Sequence, residues 1–428
     1  MEKNEKATNT AMHMDPVVLG KGFILPGDDV GISRPNDNIL VDGCSGAGKT
    51  TSTMLPTMLK MTKMNLIATF AKEEEAYQMK KYQCENEYHI DILNLKNPEE
   101  GTVSFDPFLL FKSYEDIEEF STTVVHSTLE KTNDSYWNAA ATRFSNGNAA
   151  LSVKKNRKAG ITEYFRTFDR TVPFESGAGF STHLDKTIRE IRQTSPDCYA
   201  LRMMDGWLSL PFRTASCVRD TLASALNCVF PETIRKAIKN KPQVDLRKLA
   251  TEKKRALYII SDASEIWQAN YTNLFWSMAI RELRAIAGKS PGYHLPYPIR
   301  LYFGDFGCTS PIRNFEKNIS VFRSAGISCF IVLQSQSQLE SIYGTDKATI
   351  IRQNCPVQVY FPGGFDDRSC EIVSRRMNMP FEEVMYAPLG KVFIMQAGKK
   401  PVIVPRFETF QTPEYKEFEK LNAITPYK

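Results

Sequence analysis

At 428 residues the chain is long for one core and points to about two or three domains. Its 42% hydrophobic and 24% charged residues are those of a globular protein, and 54 basic against 49 acidic side chains leave a net charge of +5, which permits nucleic-acid binding without demanding it. The nine cysteines contain no C-x-x-C pair, which argues against a zinc site or a disulfide framework and for reduced thiols in a cytosolic protein.

No uninterrupted apolar run reaches the ~18 residues a transmembrane helix needs. The polar stretch Met1–Asn9 lacks the apolar core of a signal peptide. Residues 1–15 read as disordered, and Val17–Ser33 as a small antiparallel flap rich in Gly and Asp. Asn38–Asp42 is a short buried strand. It runs into Gly43-Cys-Ser-Gly-Ala-Gly-Lys-Thr50, a full match to the phosphate-binding pattern G-x-x-x-x-G-K-[ST], and Thr51–Met61 then reads as a helix despite Pro56. Strand, glycine loop and helix in that order make a chance glycine turn a poor account. The glycines free the backbone so that the N–H groups of Gly43, Cys44, Ser45, Gly46, Ala47, Gly48 and Thr51 can converge on phosphate oxygens. Lys49 would reach the β/γ-phosphates and the Thr50 hydroxyl a Mg²⁺ ion. The implied ligands are therefore ATP and Mg²⁺.

Further strands are expected at Asn65–Phe70 and His89–Leu95, with the charged helix Lys72–Cys84 between them. From 113 to 237 the patterns turn helical, at Tyr114–Leu129, Ser135–Ala150, Leu184–Gln193 and Thr214–Val229, with a loop at Pro173–Gly179. This block reads as an all-α domain inserted into a nucleotide-binding domain of residues 16–112 and 238–410, because strands resume after it. They are expected at Arg255–Ser261, Ile299–Phe303, Ile327–Leu333 and Val357–Phe361. Helices alternate with them at Trp267–Ala287, around Phe315–Ala325, at Ser337–Tyr343 and at Asp366–Met377. Lys391–Gln396 and Val402–Phe407 form a closing hairpin at the sheet edge, and 411–428 is left as a tail. Such alternation predicts a doubly wound, mostly parallel α/β sheet.

A phosphate-loop ATPase also needs a carboxylate at the end of a second buried strand, near Mg²⁺, and usually a second acid that orients water. Arg300-Leu-Tyr-Phe-Gly-Asp-Phe-Gly307 is the best match, but the acid pair is reduced to Gly304-Asp305. Asp305 is thus assigned both to the metal and to catalysis. The kinase reading of Asp-Phe-Gly fails, since the chain has no His-Arg-Asp loop and its glycine loop is of the Lys-Thr type.

Several stretches together resemble the type IV secretion coupling proteins, the TraG/TraD-like ATPases. They are Gly43–Thr50 with Thr51 and Pro56, Tyr136-Trp137, and Val244-Asp-Leu-Arg-Lys-Leu249. The segment Phe322–Ser328 leading into Phe330-Ile-Val-Leu-Gln-Ser-Gln-Ser-Gln-Leu339, then Asn354-Cys355 and Val359–Asp366, complete the match. The resemblance spans roughly Gly20 to Met377. It implies a RecA-like P-loop NTPase fold and a ring, as in a hexamer. It also implies relaxase-bound single-stranded DNA and secretion-channel components as partners, and a place in the cytoplasm, peripheral to the membrane. It further makes Gln334 a γ-phosphate sensor and Arg323 an arginine finger acting on a neighbour, with Arg375 and Arg376 as rivals.

Three departures qualify this. Thr69-Phe-Ala-Lys-Glu73 stands where the family carries Asp-Pro-Lys-Gly-Glu, Gly304-Asp305 replaces Asp-Glu, and no membrane-helix pair is present. Two readings follow. One is an ATP-binding coupling protein with hydrolysis impaired by Gly304. The other is a non-hydrolysing nucleotide-binding adaptor for a full-length coupling ATPase. The basic clusters Lys154–Lys158, Arg235–Lys241 and Lys253–Arg255 are candidate phosphate contacts, and equally solvated surface. The five histidines are too dispersed for a metal site, and the four tryptophans read as core or interface.

Overall fold

The computed structural model describes residues 14–29, 34, 36–127, 135–177, 179–306 and 311–423. The expectations for residues 1–13, the end of the flap, Leu129 and Gly307 lie outside that set.

The chain opens with the hairpin β1 (Val17–Gly20) and β2 (Phe23–Leu25). A nine-stranded sheet follows, built from β3 (Ile39–Gly43), β4 (Asn65–Phe70), β5 (His89–Asn94) and, after the small hairpin β6 (Phe174–Ser176) and β7 (Gly179–Ser181), from β8 (Arg255–Ile260), β9 (Ile299–Phe303), β10 (Ile327–Val332), β11 (Val357–Phe361), β12 (Lys391–Gln396) and β13 (Val402–Pro405). The spatial order is β13-β12-β11-β3-β10-β9-β4-β8-β5. The strands from β11 to β5 run parallel; β12 alone is antiparallel to them, and β13, antiparallel to β12, points the same way as the rest. Strands β3, β9, β10 and β11 are buried at every residue, as a parallel strand covered on both faces must be. Neighbouring residues feed opposite layers: Leu40 and Ile67 join one core, Ile39, Val41, Leu66 and Ala68 the other.

The helices are α1 (Leu55–Leu59), α2 (Glu73–Glu85), α3 (Tyr114–His126), α4 (Ser135–Asn156), α5 (Gly160–Asp169), α6 (Asp185–Thr194), α7 (Tyr199–Leu208), α8 (Phe212–Val229), α9 (Glu232–Asn240), α10 (Leu246–Thr251) and α11 (Ile266–Lys289). After them come α12 (Phe315–Asn318), α13 (Phe322–Ala325), α14 (Gln336–Tyr343), α15 (Thr345–Gln353), α16 (Asp367–Met377), α17 (Phe381–Met385) and α18 (Pro413–Ala423). Helices α3 to α9 pack with α11 around an aromatic core in which Phe108, Phe120, Tyr164 and Phe230 meet edge to face or tilted.

Four sequence expectations change. Pro173–Gly179 is not a loop: Phe174–Ser176 pairs with Gly179–Ser181, so the helical block also holds a hairpin. The helix expected around Phe315–Ala325 is two short turns joined by a 3-10 segment. Helices α5, α7, α9, α10, α15 and α17 have no counterpart among the expected elements. Within the expected tail, α18 folds back so that Phe418 meets Tyr82 of α2 at 5.8 Å, edge to face.

The N-terminal edge of the sheet is tied by charge. Arg300, fully buried at the start of β9, pairs with Asp37, which also accepts from Arg34. The Asn354 carbonyl accepts from Asn36 at 3.2 Å and from Asn38 at 3.0 Å, holding β3 in register as it runs toward the opposite, functional edge.

Candidate functional site

The C-terminal ends of β3, β10, β9 and β4 lie side by side and bring Gly43, Gln334, Asp305 and Thr69 to one edge. This is where open α/β sheets hold ligands. At Gly43 the chain must leave β3 beside β11. Its φ is +151°, and a Cβ there would lie 2.5 Å from the Phe361 carbonyl oxygen, so only glycine fits. Gly48 also has positive φ, +93°. Between them Ser45 and Gly46 are exposed, Cys44 is half-buried and Ala47 is buried.

Lys49 opens the following helix and is 8% exposed. Its ammonium donates to the Cys44 carbonyl at 2.8 Å and to that of Gly43, so the charge is folded over the loop. Thr50 is exposed and Thr51 half-buried. Residues Thr50–Met54 form a π-turn before α1, with the Leu55 N–H reaching Thr50. Pro56 explains it: its missing N–H and its ring disfavour a regular turn, and the slack widens the helix one turn upstream.

Asp305 follows β9. Burial raises its carboxyl above the usual range, and the nearby Lys49 charge pulls it back. Gly304 donates its N–H to the Thr69 hydroxyl at 2.9 Å, and that hydroxyl reaches the Tyr302 carbonyl at 3.2 Å. A Cβ at position 304 would sit 3.0 Å from the Thr69 carbonyl oxygen, closer than neighbouring strands normally allow. A cleft of about 270 Å³ opens beside these groups, lined by Thr50, Thr51, Thr69, Glu75, Gly304 and Asp305, with Tyr415 of α18 also on its wall.

Gln334 is exposed just past β10, where Leu333 donates to Val41 of the loop strand at 2.8 Å. Arg323 is elsewhere. It is exposed on α13, before β10 begins, and β10 runs parallel to β3. It therefore lies at the far edge of the sheet from the loop, about 20 Å away across a six-residue strand. Arg376 donates to Gln358 of β11.

Residues the sequence did not single out complete the edge. Glu75 enters the cleft from the first turn of α2. Asp42 is buried at the last step before the loop. Neither of its oxygens has a hydrogen bond of ordinary geometry, and burial pushes its carboxyl up to about 6, against the closeness of Ser369, Gln336 and Lys49. Thr409 donates to the Thr51 carbonyl from beyond β13. Each lies far from the loop in sequence, or reads as an ordinary strand or helix residue.

Much of the basic surface is engaged. Lys155 meets Glu163 at 2.6 Å, Arg157 donates to Phe111, Arg235 lies 3.9 Å over the Phe165 ring, and Lys241 holds the Glu99 carbonyl at 2.6 Å. Lys154, Lys158, Lys236, Lys239 and Lys253 remain exposed. Among the described residues no helix is long and apolar enough to cross a membrane, and no group of three or more His, Cys, Asp or Glu side chains could hold a metal by itself.

Comparison with known proteins fits this geometry. Among solved structures, the bacterial conjugative coupling protein TrwB in a sulphate complex is 15% identical, covering 96% of this chain and 92% of its own, with a TM-score of 0.64. TrwB with ADP and Mg²⁺ is 14% identical over 96% of this chain and 99% of its own, with a TM-score of 0.61. VirB4 of Thermoanaerobacter pseudethanolicus is more distant, 11% identical over 96% of this chain and all of its own, with a TM-score of 0.53. At these identities the likeness is one of fold. No curated protein matches the sequence significantly. The family described as type IV secretory system conjugative DNA transfer matches residues 2–378, nearly the whole chain, and to that family this protein belongs.

Proposed function

We propose that the chain is a nucleotide-binding coupling protein that recruits relaxase-bound single-stranded DNA to a type IV secretion channel, with slow hydrolysis. The observation that carries this reading is the phosphate loop at the functional edge of the sheet, with Lys49 folded over Gly43 and Cys44 and acting on Asp305. The donor set suits MgATP. Loop N–H groups and Lys49 would hold the phosphates, and Thr50 with Asp305 would hold the metal, which supplies charge neutralisation at the terminal phosphate. Asp305, in the protein's own share of the work, fixes water or the metal shell. Gln334 flanks the loop from β10, and Arg323 would act only on a neighbouring copy in a ring. The proposed division keeps 16–112 and 238–410 as the nucleotide domain and 113–237 as an insertion that receives the relaxosome. TrwB has been solved with ADP and Mg²⁺ and with a non-hydrolysable ATP analogue, which supports the choice of ligand.

Steady-state ATPase with and without single-stranded DNA tests this, with Lys49→Ala as reference. The expected result is low activity raised by DNA and abolished in the variant. Equal MgATP affinity in wild type and Lys49→Ala would remove the reading.

The adaptor reading draws on Gly304. A side chain at that position would crowd the Thr69 carbonyl at 3.0 Å, so the strand end is packed for a residue without a carboxylate. MgATP binding with no turnover, with or without DNA, would decide for the adaptor.

A further inference from the structure

Beyond β13 the backbone is held on both sides of residue 406. Pro405 accepts from Lys21 N at 2.8 Å, and Arg406 N donates to the Gly390 carbonyl at 2.8 Å. Thr409 then anchors the segment to Thr51. From this support the Arg406 side chain reaches the phosphate loop. A Cβ built on Gly48 would lie 3.3 Å from Arg406 Nη1, 3.5 Å from Ser52 Oγ and 3.7 Å from Thr51 Oγ1. Among the described residues the Arg406 guanidinium makes no ion pair, although it is exposed and always charged. It lies beside the loop backbone at Gly48, on the same loop that Lys49 folds over. An anion at the loop would give the Arg406 guanidinium a partner of opposite charge, and a guanidinium fork matches phosphate oxygens two at a time.

The side of approach says which phosphate. β13, β12 and β11 lie on one side of β3, while β10 and β9, which carry Gln334 and Asp305, lie on the other. The terminal phosphate belongs with Asp305 and the tip of Lys49. Gly48 and Thr51 belong to the part of the loop that cradles the α- and β-phosphates. We infer that Arg406 is a nucleotide ligand supplied within the same chain, gripping the α/β-phosphate end opposite the catalytic acid. This rests on the nucleotide reading above. It assigns Arg406 to affinity, for di- and triphosphates alike, and leaves the terminal phosphate to other groups.

Calorimetry with MgADP and MgATP on the whole chain tests it, comparing wild type, Arg406→Ala, Arg406→Lys and Lys49→Ala. Arg406→Ala should lose affinity for both nucleotides by the same factor, about tenfold, as for one lost charge-assisted contact. Arg406→Lys should recover part of it. The unfolding midpoint without nucleotide should not move, since the side chain is exposed. Wild-type affinity in Arg406→Ala, while Lys49→Ala is impaired, would overturn the inference and leave the nucleotide reading standing. A loss confined to MgATP would overturn the assignment to the α/β end. Full affinity in both Ala variants would overturn the nucleotide reading itself.

Discussion

Under the proposed function, position 304 bears directly on the rate of hydrolysis. The first acid of the usual pair holds the metal shell and the second places water, whereas here position 304 offers no carboxylate and Asp305 is one methylene shorter than Glu. An oxygen misplaced by about 1 Å can cost roughly 100-fold, so turnover should be slow. The double change Gly304→Asp with Asp305→Glu should raise it if Thr69 can yield at the 3.0 Å contact. Turnover and MgATP binding are measured on both proteins. A wild type already at motor rates, or a repaired variant that binds MgATP but is no faster, refutes this. Asp42 makes a second residue-scale prediction. Its carboxyl titrates near 6 when folded and near 4 when unfolded. The folded state thus holds a proton that the unfolded chain releases, and stability falls as pH rises from about 4 to about 6 and stays lower above. Asp42→Asn removes that loss. It should be more stable than wild type by about 3 kcal/mol at pH 8, with the gap closing toward pH 4, by urea unfolding. A gap independent of pH would mean that Asp42 is not held neutral. The loop residues were legible in one dimension because their spacing is itself the mechanism. Asp42 was not, because what marks it is the absence of a partner in three dimensions.

At the scale of elements, largely apolar runs announced β3, β9, β10 and β11, because a parallel strand buried on both faces needs no strict alternation. The hairpin β6–β7 was hidden, since its exposed residues Phe174, Glu175 and Ser176 carry no period. The π-turn at Thr50–Met54 is invisible in the sequence because no residue pattern distinguishes one turn of i→i+5 bonds from one of i→i+4 bonds. Helix α4 and its C-terminal lysines carry the DNA prediction. Lys155 is occupied by Glu163, whereas Lys154 and Lys158 are exposed. Affinity for single-stranded DNA should fall with log salt, and reversing Lys154 and Lys158 to Glu should flatten that slope by about 1.4, at ~0.7 for each phosphate released. Titrations in which the variant keeps the wild-type slope would return these side chains to solvated surface.

Taken whole, the molecule places Asp305 and Gln334 on one edge and Arg323 on the other, so one copy cannot complete the constellation that the family resemblance implies. Assembly should therefore depend on nucleotide. Light scattering with a non-hydrolysable ATP analogue and single-stranded DNA should show a species several-fold heavier than the 48.6 kDa chain. A monomer under all conditions would favour the adaptor. The doubly wound architecture was legible because alternation of strand and helix is a global pattern, but the return of α18 and the stretch before it to close off the loop's flank at Thr51 was not. That closure has a consequence for biosynthesis. Thr51 and Thr409 are 358 positions apart, so the loop leaves the ribosome long before its clasp exists. At about 5–20 residues per second the delay is roughly 20–70 seconds. Both strands that flank β3, β10 and β11, also come late in the chain, so the loop is set at its sheet edge only after they emerge. Under the proposed function, nucleotide capture would be one of the last events of synthesis.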